Sequence, residues 1–247
     1  MFELKDKYAI VTGASGGIGA ATALAVAREG AGGIIIADID QKHAKITAAA
    51  ITSETGVRCE FVETNIGNSK DIKKLFKTCI DYFGRLDILV NCAGVCNTFT
   101  IEEIDEKQWD RLMAINLRGT YLCCREAYMI MKKQGSGKIV NVSSVSGRVG
   151  GIATGIDYAT SKGAIITLTM SFAKAAGPYG INVNAVAPGF IDTEMTRDFT
   201  HFNPNEVPLR RAGKPDDVAD VITFLAGDKS RYITGMTLDV NGGQYMG

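Results

Sequence analysis

The chain has 247 residues, 46% of them hydrophobic, with 27 basic and 27 acidic side chains that cancel to zero net charge. That length suits one α/β domain with a full core better than two small ones. Zero net charge without a long Lys/Arg run argues against a nucleic-acid partner, and no stretch reaches the roughly 18 uninterrupted apolar residues of a membrane span.

The opening "MFELKDKYAIVTGASGG" lacks the long apolar segment and cleavage site of a secretory signal. Its apolar run "YAIVT" (8–12) is the first of seven expected strands. The others are "GIIIAD" (33–38), "CEFVET" (59–64), "LDILVN" (86–91), "KIVNVS" (138–143), "INVNAVA" (181–187) and "MTLDV" (236–240). They are continuous rather than alternating, as strands covered on both faces are. Between them lie helix-length stretches of 3.6-type periodicity, such as Gly17 to Glu29 and Asp71 to Phe83. The order predicts a Rossmann-like, doubly wound parallel sheet of about seven strands with helices on both faces, and a ligand at the strands' carboxyl ends. No composition shift marks a boundary, so residues 1–247 read as one domain.

The six cysteines show no CxxC pair and no spacing with histidine that suits a metal, so no metal is expected and a reducing cytoplasm fits. The two histidines, His43 and His201, read as exposed helix or loop residues. Without a GxSxG elbow, a Ser-His-Asp hydrolase is excluded.

Directly after the first strand comes "TGASGGIG", with Gly13, Gly17 and Gly19 spaced Gly-x-x-x-Gly-x-Gly. Glycines there let backbone approach a ligand, and the helix that follows offers free N–H groups to a pyrophosphate. Ser15 offers a hydroxyl, and Ile18 completes the loop. Asp38 ends the second strand and can accept from adenosine ribose hydroxyls while repelling a 2′-phosphate. Ile39 and Gly16 stand where basic residues would welcome that phosphate, so NAD is expected rather than NADP. Asp40 is well placed to cap the next helix.

In "GIDYATSKGA", Tyr158 precedes Lys162 by four residues, about one helical turn, which puts both on one face. Alone, this spacing also fits an ordinary surface pair.

Together these motifs resemble the short-chain dehydrogenase/reductase family along essentially the whole chain. "TGASGGIG" looks like its coenzyme loop, "NCAG" (91–94) its fourth-strand motif and "IN", ending at Asn116, its helix asparagine. "NVSS" is similar to the segment carrying its serine, "YATSK" to its active-site pair, "APGFIDT" (187–193) to its nicotinamide loop and "ITGMTLDVNGG" (233–243) to its closing strand. Within the family, "GFIDTEMTR" and "VNGGQYMG" look closest to the β-ketoacyl-acyl-carrier-protein reductases.

The resemblance implies a site of Asn116, Ser144, Tyr158 and Lys162. Tyr158 would be the general acid/base and Lys162 would lower its pKa and hold the nicotinamide ribose. Ser144 would bond the substrate oxygen, with Ser143 and Ser146 as competitors for that role, and Asn116 would link Lys162 to solvent through water. Asn65 and Ile66 would flank the adenine, with Asn91, Ala93 and Gly94 at the next strand end. Pro188 and Gly189 would turn the chain under the nicotinamide, and Ile191 and Thr193 would contact its carboxamide. Residues 190–213, with Phe190, Met195, Phe199 and Phe202, read as a substrate lid. Cys96, Arg148 and Thr154 are further candidates for the substrate pocket.

Three departures from the family pattern stand out, the last of them in the pocket wall. "NCAG" stands for the commoner "NNAG", Asn65 for an aspartate, and the Ser144–Tyr158 segment is one residue longer. The basic positions with which the carrier-protein reductases dock their carrier fall near Gln134–Gly135 and at Tyr179. That branch generally prefers NADPH, so Asp38 also counts against it. The expected function is therefore NAD(H)-dependent interconversion of a secondary alcohol and a ketone, with a sugar alcohol, keto-sugar or hydroxysteroid as substrate. A 3-oxoacyl-thioester reductase is the alternative. A non-catalytic NAD sensor is the alternative of another class, opposed by the intact Tyr158/Lys162 pair. A homotetramer is expected from the resemblance.

Overall fold

The computed structural model describes residues 3–151, 153–197, 199 and 202–247; His201 lies outside them. Seven strands, β1 (Tyr8–Thr12), β2 (Gly33–Asp38), β3 (Cys59–Glu63), β4 (Ile88–Asn91), β5 (Gly137–Val142), β6 (Ile181–Pro188) and β7 (Thr237–Val240), form one sheet. All pairings are parallel, in the order β3-β2-β1-β4-β5-β6-β7. The sequence runs locate every strand, with ends shifted by one or two residues. Leu86 and Asp87 fall outside β4 because the Asp87 carboxylate turns back to accept from Tyr8 N and Arg85.

Among the described residues the helices are α1 (Gly17–Arg28), α2 (Gln41–Thr55), α3 (Ser69–Phe83), α4 (Glu106–Met113), α5 (Thr120–Gln134), α6 (Ser146–Val149), α7 (Ile156–Ala176) and α8 (Pro215–Ala226). Asp40 caps α2 by accepting from His43 N at 3.1 Å, and Asn68 caps α3 by accepting from Lys70 N at 2.9 Å. None of these helices is long and apolar enough to cross a membrane.

Alternation along each strand divides its side chains between two cores. Ala9, Val11, Ile34, Ile36, Ile88 and Val90 pack in the layer that includes α1, α2 and α8. Ile10, Ile35, Leu89 and Ile139 pack in the opposite layer, with α3, α5 and α7. Each fully buried Ile or Leu contributes roughly 1.5–3 kcal/mol, so both faces hold the sheet. Crossovers from β1 and β4 run in opposite directions, which opens a crevice at the carboxyl ends of these two strands.

Candidate active site

A cleft of about 530 Å³ occupies that crevice. At one end lies the glycine loop. Gly13 has φ +67°, and a Cβ there would meet Ala93 Cα at 2.6 Å. A Cβ on Gly19 would collide with the Gly13 carbonyl, so α1 begins hard against the loop. Asp38 stands beside it, one oxygen accepting from Ser15 N (2.9 Å) and the other from Asp40 N (3.0 Å). The carboxylate is thus oriented in advance and retains lone pairs for further donors. Ser15 is held through its backbone, its carbonyl accepting from Thr47 Oγ1.

Ile18, Ile39, Asn65 and Ile66 line the same end. Asn65 Oδ1 accepts from Gly67 N in its own turn. Two residues not singled out in the sequence join them, Arg111 and Ile115. They lie four apart on the helical stretch leading to Asn116, a spacing that places them on one face.

At the other end, Tyr158 and Lys162 project from α7 towards Ser144, just beyond β5. Ser144 faces the Tyr158 phenol across the cleft, and its Oγ accepts from Ser146 N at 3.1 Å. The competing serines are otherwise engaged. Ser143 donates to the Lys162 carbonyl (2.8 Å), and Ser146 Oγ accepts from Thr154 Oγ1 (3.3 Å).

Lys162 is buried, and its Nζ donates to the Val142 carbonyl at 2.8 Å while lying 5.5 Å from the Tyr158 ring centroid. Burial draws its pKa down to about 8, against the opposing pull of Cys92 and Cys96. Burial pushes the Tyr158 phenol above its ordinary value, Cys96 adds to this and the neighbouring Ser144 hydroxyl opposes it. The expected lowering of Tyr158 by Lys162 is therefore outweighed. The ammonium is turned to a backbone carbonyl, and desolvation of the phenol dominates.

Asn116 lies in a π-helical turn, Ala114–Gly119, between α4 and α5. It is fully buried and clamps Val95 from both sides, accepting from Val95 N and donating to Val95 O, each at 2.8 Å. Its amide also donates to Ser161 Oγ at 3.2 Å. Ala93 and Gly94 line the cleft beside it, and Ala93 N donates to Thr12 Oγ1. Pro188, Gly189, Ile191 and Thr193 form the opposite wall. Thr193 Cγ2 lies 3.4 Å from where a Gly17 Cβ would be, so the loop after β6 overhangs the glycine loop.

Five expected contacts are placed elsewhere. Asn91 is buried within the sheet, donating to Asn141 Oδ1 and Cys124 Sγ, and does not line the cleft. Arg148 is drawn to β7 by Asp239 (3.2 Å) and the Thr237 carbonyl (2.9 Å). Thr154 is spent on Ser146. Phe190 stacks on Phe202, ring centroids 3.9 Å apart, and its N–H is taken by Gln244. Cys96 sits outside the lining, although near enough to oppose ionisation of Tyr158.

The donor set fits a nicotinamide dinucleotide. The Gly13/Gly19 cradle has no room for a Cβ, and Asp38 supplies an acceptor beside it. Among the described residues there is no His/Cys/Asp/Glu group suited to hold a metal.

Comparison with known proteins agrees with this geometry. The family model described as enoyl-(acyl carrier protein) reductase matches residues 13–244. The 3-oxoacyl-[acyl-carrier-protein] reductase FabG of Staphylococcus aureus is 38% identical, the match covering 97% of this chain and 98% of the relative. The 3-oxoacyl-[acyl-carrier-protein] reductase of a Synechocystis species is also 38% identical, with complete coverage of both chains. A short-chain type dehydrogenase/reductase from Mycobacterium marinum superposes with a TM-score of 0.95 at 29% identity, covering 100% of this chain and 98% of its own. Fold, cleft and relatives agree: the chain is an oxidoreductase of CH–OH and C=O groups that uses a nicotinamide coenzyme, and it belongs to the short-chain dehydrogenase/reductase family.

Proposed function

We propose that the protein is an NADH-dependent reductase of 3-oxoacyl thioesters. The observation that carries the reading is the convergence of Ser144, Tyr158 and Lys162 at one end of a cleft whose other end presents the oriented Asp38 carboxylate. The names of the relatives favour a 3-oxoacyl thioester over the sugar alcohol or hydroxysteroid expected from the sequence. Asp38 favours NADH, since a 2′-phosphate would be repelled by it.

NADH, when bound, supplies the hydride that adds to the carbonyl carbon. The protein supplies the proton and the polarisation. Ser144 donates to the carbonyl oxygen and stabilises the charge that develops there. Tyr158 donates its phenolic proton to that oxygen, leaving a phenolate. Lys162, still mainly protonated at neutral pH with its pKa near 8, stabilises this phenolate across the buried site. Asn116 fixes the Val95 backbone beside this group. Residues 190–213 serve as the substrate lid, its aromatic root formed by the Phe190–Phe202 stack. The lid stays part of a single catalytic domain.

The face expected to dock an acyl carrier carries Lys132, its ammonium 4.2 Å above the Tyr179 ring. Lys132 thus keeps a positive charge on that face despite Tyr179, which supports a carrier as thioester donor. Exposed Tyr121 and Met129 on α5 and Met170 on α7 support a homotetramer, which light scattering tests. All six cysteines are free, as a reducing cytoplasm would keep them.

The test is reduction of acetoacetyl-CoA, followed by loss of NADH or NADPH absorbance, alongside an acyl-carrier-bound substrate. Turnover with NADH supports the proposal. Turnover of small ketones alone, or a preference for NADPH, overturns it.

A further inference from the structure

Asp157, the residue before Tyr158, is completely buried, and its carboxylate has no cationic partner among the described residues. An unpaired buried carboxylate is costly unless hydrogen-bonded. Its partners explain its presence. One oxygen accepts from Tyr158 N at 2.7 Å, and the other accepts from the side-chain amide of Asn97 at 2.8 Å. Both partners are donors, and a carboxylate is the side chain that only accepts. Its place in the first turn of α7 adds the favourable end of the helix dipole.

The same junction is tied twice more. Gly155 N donates to the Asn97 carbonyl at 2.9 Å, and a Cβ on Gly155 would collide with the Asn97 amide oxygen, so glycine is required for the approach. Asn97 Oδ1 in turn accepts from Phe99 N at 3.2 Å. The loop after β4 is thus gripped at Val95 by Asn116 and at Asn97 by the start of α7.

We infer that the Asp157–Asn97 pair is a positioning device that locks the N-terminal turn of α7 onto the loop after β4 and so sets the Tyr158 phenol against the substrate oxygen. Asp157 does not line the cleft; it acts through the backbone of Tyr158. This rests on Tyr158 as the proton donor proposed above, but not on which carbonyl is reduced.

The test is a swap. Asp157→Asn sets amide donors against each other, and Asn97→Asp sets a half-buried carboxylate against the buried Asp157. The double variant Asn97→Asp/Asp157→Asn rebuilds both hydrogen bonds with the charge on the other side, and keeps an acceptor for Phe99 N. With acetoacetyl-CoA and NADH, each single variant is expected to lose about tenfold or more in kcat, since small misplacements at the reacting atoms are costly. NADH affinity, read by fluorescence titration, should stay within about threefold, and the double variant should recover to within about threefold of the parent kcat. Asn97→Ala, which only removes a donor, serves in place of either single variant that folds poorly. Hydrogen exchange of the peptide spanning 155–162 should quicken in Asp157→Asn and return to the parent rate in the swap. That readout still applies if acetoacetyl-CoA is not reduced, a result that would count against the thioester reading alone. Unchanged exchange, a parent-like kcat in Asp157→Asn, no rescue by the swap, or equal loss of kcat and NADH affinity would each overturn the inference.

Discussion

The backbone N–H of Ser15 donates to Asp38 Oδ2 at 2.9 Å, tying the glycine loop to the end of the neighbouring strand. Asp38 therefore does two jobs with one carboxylate: it shapes the loop and faces the cleft. A hydrogen bond to a charged group is worth about 1.5–3 kcal/mol, so Asp38→Ala should weaken NADH binding by about 10- to 100-fold. Adding Ile39→Arg should bring NADPH affinity up to or beyond that for NADH. Isothermal titration with both coenzymes checks this, and an unchanged NADH to NADPH ratio would refute the selector role.

Tyr158→Phe removes the phenolic proton and keeps the ring. Because a positioned acid contributes about 10²–10⁴-fold, kcat should fall by that range. NADH affinity should hold within about threefold, because binding rests on the far end of the cleft. Stopped-flow turnover with fluorescence titration separates the two, and retained turnover would assign the proton to another group.

Lys162 is held at about 8, down from 10.5, by burial. A lysine with a lowered folded pKa gives up its proton earlier in the native state than in the unfolded chain. Between these two values the unfolded chain binds more protons, so stability rises with pH across that window. The full penalty applies below about pH 8 and is relieved by about pH 10.5. Coenzyme-free protein should therefore gain about 3 kcal/mol over Lys162→Met across this interval. Urea denaturation at a series of pH values measures the difference, and parallel curves would contradict the buried, desolvated lysine.

Gly147 lets α6 lie against α7 at the site itself. A Cβ there would stand 2.7 Å from the Lys162 carbonyl carbon and 2.8 Å from Gly163 N, backbone atoms that cannot give way. Gly147→Ala should force α6 off α7, lowering stability by about 1–3 kcal/mol. It should also cut kcat by about tenfold as Ser144 shifts from Tyr158. Gly163→Ala is the control, because its Cβ would meet nothing closer than the Gly147 carbonyl at 3.4 Å. Thermal unfolding and turnover of the two variants should differ clearly, and equal behaviour would dismiss the packing argument.

Much of this architecture is legible in the sequence because it is local. Continuous apolar runs mark the strands, Asp40 caps where its spacing suggests, and the four-residue step from Tyr158 to Lys162 survives into α7. What the sequence conceals is long-range. Arg148 finds Asp239 across 91 residues, and Asn97 finds Asp157 across 60, distances over which no periodicity speaks. Asn91 is a different case. It shares strand parity with Leu89, which packs towards α3, α5 and α7, so alternation alone directs its amide to Cys124 and Asn141. The motif resemblance drew it to the coenzyme instead. The four-residue spacing predicts a neighbour for Tyr158 but not the desolvation that raises its pKa.

The crevice exists because β1 pairs with β4, and that pairing brings together residues such as Tyr8 and Asp87 that are 79 positions apart. Closing so long a loop must precede any reward from the contacts it makes, and such non-local parallel pairing slows folding. No cleft exists until β4 docks beside β1. A nicotinamide coenzyme can therefore act only after that slow step. It should retard unfolding of the finished protein and leave the refolding rate nearly untouched, a division of labour set by topology alone.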